Sequence, residues 1–70
     1  MISDLLKKYR GEKRFSQSQL ARKAGLTVTA IANYEQGISK PSFEVLIKLA
    51  DALEISIDEL VGRKSPHSKK

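Results

Sequence analysis

Cysteine and tryptophan are absent from this chain, and there are only one histidine, two prolines and four aromatic rings, two of tyrosine and two of phenylalanine. Without cysteine there is neither a disulfide nor a thiolate metal site to hold the fold together, which fits an intracellular protein. The lone histidine, His67, has no cysteine or carboxylate cluster beside it and reads as a surface side chain rather than a metal ligand or base. No apolar run approaches the ~20 residues of a membrane-spanning helix. The opening segment MISDLLKK has an early acid and no long apolar region, so it is no secretory signal. The cytoplasm is therefore the expected compartment and no membrane partner is expected. A nucleophile–base set, a glycine-rich phosphate loop and a metal constellation are all missing, so no enzyme activity, metal or cofactor is expected.

Seventy residues suit a single domain with a small core. The net charge of +5 is unevenly spread. Residues 1–14 carry five cations against two acids, residues 15–62 four against six, and residues 63–70 four against none. A basic balance favours an anionic partner such as nucleic acid or a membrane surface, but a soluble protein with a basic end accounts for the charge equally well.

The informative stretch is Ser16 to Gly37, SQSQLARKAGLTVTAIANYEQG. Ser16 with Gln19 three positions later is a capping box, in which each side chain bonds a free backbone N–H of the other residue. Leu20, Ala21 and Ala24 give the ensuing helix an apolar side. Gly25 stops it, because glycine enters the left-handed region without a Cβ penalty. Thr27 is a good N-cap for a second helix over Val28 to about Gln36, which Gly37 ends. Two short helices about a glycine-containing turn form a helix-turn-helix. At 100° per residue, Ala30, Ile31 and Tyr34 fall together as an inward side. Val28, Thr29, Ala32, Asn33 and Gln36 fill the opposite arc, with no Lys, Arg or Glu among them. A merely solvated face usually carries charge. This one can approach another surface closely: Asn and Gln suit the N6 and N7 edges of adenine, Thr several base edges, and apolar groups a thymine methyl.

Around this stretch, a first helix from Ser3 to near Arg10 or Glu12 would turn Leu5, Leu6 and Tyr9 inward. Phe15 can staple onto Leu20 or its neighbour. A fourth helix, about Ser42 to Leu53, has a wide apolar side of Phe43, Leu46, Ile47, Leu49, Ala50 and Leu53, with Glu44, Lys48, Asp51 and Glu54 solvated. Ser56 and Glu59 form a second capping box for a fifth helix that Gly62 ends. The last segment, RKSPHSKK, has nothing apolar to pack and reads as a basic disordered tail over 63–70 behind a domain of residues 1–62.

Residues 10–61 resemble the phage-repressor type of helix-turn-helix domain, the Cro and lambda-repressor (Xre-type) family. The resemblance rests on Arg10, Ser16-Gln17, Leu20-Ala21, Gly25, Ile31, Tyr34-Glu35, Gly37 and Pro41, followed by Leu46, Leu49-Ala50, Leu53 and Ile57-Asp58-Glu59-Leu60. It implies an all-α, compact five-helix lambda-repressor-like domain whose helices 2 and 3 form the helix-turn-helix. It also implies that Arg10 pairs with Glu35, tying the first helix to the end of the third; the alternative is two solvated charges. Ser16 and Gln17, at the start of the second helix, together with Gln36 and Lys40, would meet DNA phosphates. The alternative for Gln17 and Lys40, less favoured, is ordinary polar surface. In the family the last helix and the loop before it often make the dimer contact, which nominates Ile55, Ile57, Leu60 and Val61; those same side chains are needed to close a small core.

The function expected is sequence-specific binding of double-stranded DNA by a small homodimeric transcriptional repressor. Its third helix would lie in the major groove with Val28, Thr29, Ala32 and Asn33 over the bases. Two alternatives stay open. One is an antitoxin or restriction–modification controller built on the same domain, with a cognate protein partner such as a toxin or anti-repressor. The other is a protein-interaction module that has lost DNA, which the lack of Arg and Lys on the recognition arc keeps alive.

Overall fold

Five helices follow one another in the computed structural model, which describes residues 2–62: α1 (Ile2–Glu12), α2 (Gln17–Ala24), α3 (Val28–Gln36), α4 (Phe43–Leu53) and α5 (Ile57–Val61). There is no strand among the described residues. The expected tail 63–70, with His67, lies outside them.

Local chemistry sets the helix boundaries. Ser16 Oγ accepts from the Gln19 N–H at 3.0 Å while Gln19 Oε1 accepts from the Ser16 N–H at 2.7 Å. Ser56 and Glu59 repeat the arrangement ahead of α5. Thr27 and Ser42 cap α3 and α4 through their hydroxyls. Each cap answers a backbone N–H that has no partner inside its helix. At the other end of α2, Gly25 sits at φ +72° and the Leu26 N–H bonds the Ala21 carbonyl at 2.8 Å, which turns the chain sharply towards α3. The chain leaves α4 through the same geometry, but there the left-handed residue is Glu54 at φ +60°, where a Cβ crowds the backbone.

Leu6, Leu20, Ala21, Ala24, Ile31, Leu49, Ala50, Leu53 and Leu60 make the buried core. α3 packs on α1 and α2, while α4 packs on α2 and α5, and α5 also meets α1. The helix-turn-helix is thus clamped from behind by α1 on one side and α4 on the other, leaving the outer surface of α3 open.

Three expectations need correction. Leu60, nominated for a dimer contact, is fully buried and belongs to the core, so it offers no surface; Ile55 and Ile57 are half-buried against that core and Val61 is half-buried. Phe43 and Ile47, assigned to the packed side of α4, are 66% and 38% exposed. The stripe that packs is Leu46, Leu49, Ala50 and Leu53, and at ~100° per residue Ile47 stands roughly 110° from its centre. Phe43, though closer in angle, lies at the very start of the helix, which the buried core does not reach. Ala32 and Asn33, placed on the open arc of α3, are half-buried at its margin.

The two left-handed caps give a paired prediction. Gly25→Ala is expected to lower stability by ~1–2 kcal/mol. Glu54→Gly is expected to raise it by ~0.5–1 kcal/mol, since relief of the backbone exceeds what is lost with the exposed Lys13–Glu54 contact at 3.2 Å. Urea denaturation of the two variants beside the parent chain reads both; a destabilised Glu54→Gly would show that the contact outweighs the strain.

Candidate nucleic-acid interface

α3 contains one charged residue, Glu35, and it is 4% exposed. Its carboxylate accepts three hydrogen bonds from two residues. Arg10 of α1 donates from Nε to Oε2 and from Nη2 to Oε1 at 3.1 Å, a two-point fork. The Gln17 amide, at the first turn of α2, donates to the same Oε1 at 3.0 Å. The remaining Arg10 nitrogen, Nη1, donates to the Phe15 carbonyl at 2.8 Å, fixing the α1–α2 loop. A buried carboxylate without partners would carry a desolvation cost of several kcal/mol. Here every buried polar side-chain atom among the described residues is paired. The cluster joins α1, the loop, α2 and the C-terminal end of α3.

With its charge turned inward, α3 presents a neutral outer surface. Val28 is 43% exposed and Thr29 and Gln36 are exposed, while Ala32 and Asn33 contribute partial exposure along one edge. Ile31 is fully buried, and Ala30 and Tyr34 half-buried, so the inward side is the one expected. Beside this surface lies the N-terminus of α2, where exposed Ser16 and half-buried Gln17 begin the helix; backbone N–H groups in such a first turn suit anions. Exposed Lys40 stands in the loop from Gly37 to Ser42 that follows α3. Along α3 and the loop after it the groups open to solvent are thus of four kinds: apolar Val28, hydroxyl Thr29, the amides Asn33 and Gln36, and the Lys40 ammonium.

Gln17 differs from its simple reading as a side chain aimed outward. One amide N–H is used on Glu35, which leaves a second N–H and the carbonyl oxygen for an outside partner. Nothing in the local sequence signals that bond, because the two residues are 18 positions apart and meet only through the packing of α2 on α3. Lys23 places its ammonium 5.6 Å from the Phe15 ring centroid, so it is partly occupied by a cation–π contact.

The sequence model of a helix-turn-helix family matches residues 6–60. The chain belongs to the phage-repressor type of that family. Among curated relatives, the cryptic phage CTXphi transcriptional repressor RstR of Vibrio cholerae serotype O1 is 52% identical over 48 residues, spanning 69% of this chain and 43% of RstR. Among solved structures, the master regulator for biofilm formation SinR, in complex with DNA, superposes with a TM-score of 0.83 at 35% identity, covering 87% of this chain and 98% of that one. The restriction–modification controller C.AhdI of Aeromonas hydrophila superposes with a TM-score of 0.82 at 34% identity, covering 84% and 89%. These structures agree with a five-helix, all-α, repressor-like fold. The chain spans about half the length of the curated relatives it matches.

Removing Arg10 leaves the Glu35 carboxylate buried with a single amide partner. Arg10→Ala is expected to cost ~2–4 kcal/mol, and Arg10→Lys to recover only part of it, since an ammonium keeps the charge but lacks the fork and the reach to the Phe15 carbonyl. Chemical denaturation measures both; full recovery by lysine would reduce the cluster to a simple charge contact.

Proposed function

We propose that this chain is the DNA-reading unit of a transcriptional repressor, with α3 set into the major groove of double-stranded DNA. The observation that carries the reading is the neutral outer surface of α3, whose one charge is buried and braced from behind. Val28 and Thr29, at the start of the helix and well exposed, would meet base edges first, with Ala32 and Asn33 next along the groove. Val28 suits a thymine methyl and Asn33 the two-point edge of adenine. Ser16, Gln17, Gln36 and Lys40 would hold the register on phosphates. Family membership supports the reading, as do the repressor name of the Vibrio relative and the DNA-bound state of the SinR structure.

The proposed assembly is a homodimer on a near-palindrome with half-sites ~34–36 Å apart, one turn of DNA. Residues 1–62 form the reading unit. No described helix is long and apolar enough to cross a membrane; a cytoplasmic, non-enzymatic role follows from the proposed work on DNA. A second reading, control of a restriction–modification system, is favoured by the likeness to C.AhdI. A cognate protein partner is favoured by the likeness to SinR, which has been solved in complex with SinI.

Selection from a random duplex pool tests the function, and enrichment of a near-palindrome is expected. If nothing is enriched and retention is weak and salt-sensitive, base reading by α3 is wrong. On the selected site, Asn33→Ala should cost ~1–3 kcal/mol and relax preference at one position, whereas Lys40→Ala should weaken all sequences evenly and lower the salt slope by about one unit. An equal loss on every sequence for Asn33→Ala, or an unchanged slope for Lys40→Ala, would remove that residue from its role.

A further inference from the structure

Each of the five helices is followed, within two residues, by a residue in the left-handed region. Gly25, Gly37 and Gly62 serve α2, α3 and α5, where glycine carries no Cβ penalty. The two exceptions are Glu54 after α4, at φ +60°, and Arg14 after α1, at φ +61°. At Arg14 the turn is fixed by the backbone. Its N–H bonds the Gly11 carbonyl at 3.0 Å, and the next N–H, of Phe15, reaches back to the Arg10 carbonyl at 3.1 Å. A side chain at such a position crowds the backbone, so an arginine there needs a reason. Glu54 has one inside the fold, its contact with Lys13. Arg14 is exposed and, among the described residues, makes no ion pair. The cations around it are occupied: Arg10 by Glu35, Lys13 by Glu54, and Lys8 and Lys23 over the Tyr9 and Phe15 rings. Lys7 and Arg22 are also exposed, but Lys7 lies about two helical turns back on α1 and Arg22 is in the last turn of α2.

We propose that Arg14 is a phosphate-binding residue, gripping the DNA backbone beside the first turn of α2, and that it stands at this helix end for binding although glycine would suit the fold better. The proposal rests on the reading of α3 as the groove-bound helix, with Ser16 and Gln17 on phosphates. Arg14 stands two residues before Ser16, the cap of α2. Two residues span at most ~7 Å, a distance that a side chain as long as arginine's can bridge. The link between them is set, since Arg10 Nη1 holds the intervening Phe15 carbonyl at 2.8 Å. A guanidinium offers phosphate oxygens a planar two-point fork. Of the charges beside it along the chain, Lys13 is paired with Glu54 and Glu12 is an exposed acid that makes no ion pair with it, so Arg14 carries the free positive charge of this loop. The phosphate set otherwise holds one cation, Lys40, which follows α3, because Ser16, Gln17 and Gln36 are neutral. With Arg14 ahead of α2, the helix-turn-helix is bracketed in sequence by a cation at each end.

The test measures binding of the full chain, Arg14→Gly and Arg14→Gln to the selected duplex over a range of salt. Both substitutions should weaken binding about 3- to 10-fold on every sequence, between the effect of an exposed ion pair and that of a charged hydrogen bond. Both should also lower the salt slope by about one unit, whereas Arg14→Lys should keep the slope. Urea denaturation supplies a second readout. Arg14→Gly should raise the folding equilibrium constant about two- to five-fold, while Arg14→Gln, which keeps the Cβ, should leave it unchanged. A more stable Arg14→Gly chain that binds DNA less well supports an arginine kept for binding. An unchanged slope in Arg14→Gln, when the parent chain binds its duplex, overturns the contact and leaves the reading of α3 standing. A parent chain that binds no duplex overturns both. An Arg14→Gly chain less stable than the parent also overturns the proposal, since the side chain then serves the fold.

Discussion

The buried carboxylate of Glu35 is the constraint on which the arrangement of this domain depends. A charge 4% exposed is tolerable only if its oxygens are fully answered. The answers come from Arg10 on α1 and Gln17 on α2, with Arg10 also bonding the loop carbonyl of Phe15. The apolar core holds the helices together without direction; the Arg10–Glu35–Gln17 cluster adds direction, locking the α2–α3 angle and the rotation of α3 about its own axis. A helix proposed to read bases has to be held in both respects, since a rotation by two residues, ~200°, would replace Val28 and Thr29 by Ala30 and Ile31.

The same cluster explains the electrostatic division of labour. Because the sole charge of α3 is consumed internally, the open surface has nothing to desolvate except hydroxyls and amides, whose hydrogen bonds can be exchanged for those of base edges. On the proposed reading, attraction to the polyanion is left to groups at the border, the first turn of α2 and Lys40. That reading draws specificity and affinity from separate residues, as expected where phosphates position a protein and bases select it.

How much of this was visible beforehand depended on range. The capping boxes at Ser16–Gln19 and Ser56–Glu59, the Thr27 cap and the Gly25 and Gly37 stops are contacts within a few residues, and their spacing alone placed the helices within about one residue of where they lie. The Arg10–Glu35 contact spans 25 positions and came with the family resemblance rather than from any local pattern. The Gln17–Glu35 bond was illegible, since no periodicity links a first-turn glutamine to a carboxylate on the next helix. Apolar periodicity also misplaced Phe43 and Ile47. It registers which side of α4 is greasy but not how far round and along that side a neighbouring helix reaches, and neither α2 nor α5 covers Phe43 or Ile47. Leu60 stood open between core and dimer contact, because a five-residue helix shows too few turns to separate the side facing α1 and α4 from the side facing water. Ile38, in a loop, belongs to no helical period, so nothing in the sequence marks its 67% exposure.

The most direct test of the account is an amide chemical-shift titration of the isotopically labelled chain with its selected duplex at near-physiological salt. The account predicts that the largest changes fall on residues 16–17, 28–33 and 36–40, with the Arg10 side-chain signals and the core unmoved, because the cluster is already set before DNA arrives. Changes concentrated on the outer side of α4 and α5, with α3 silent, would contradict it and assign the neutral surface of α3 to another partner.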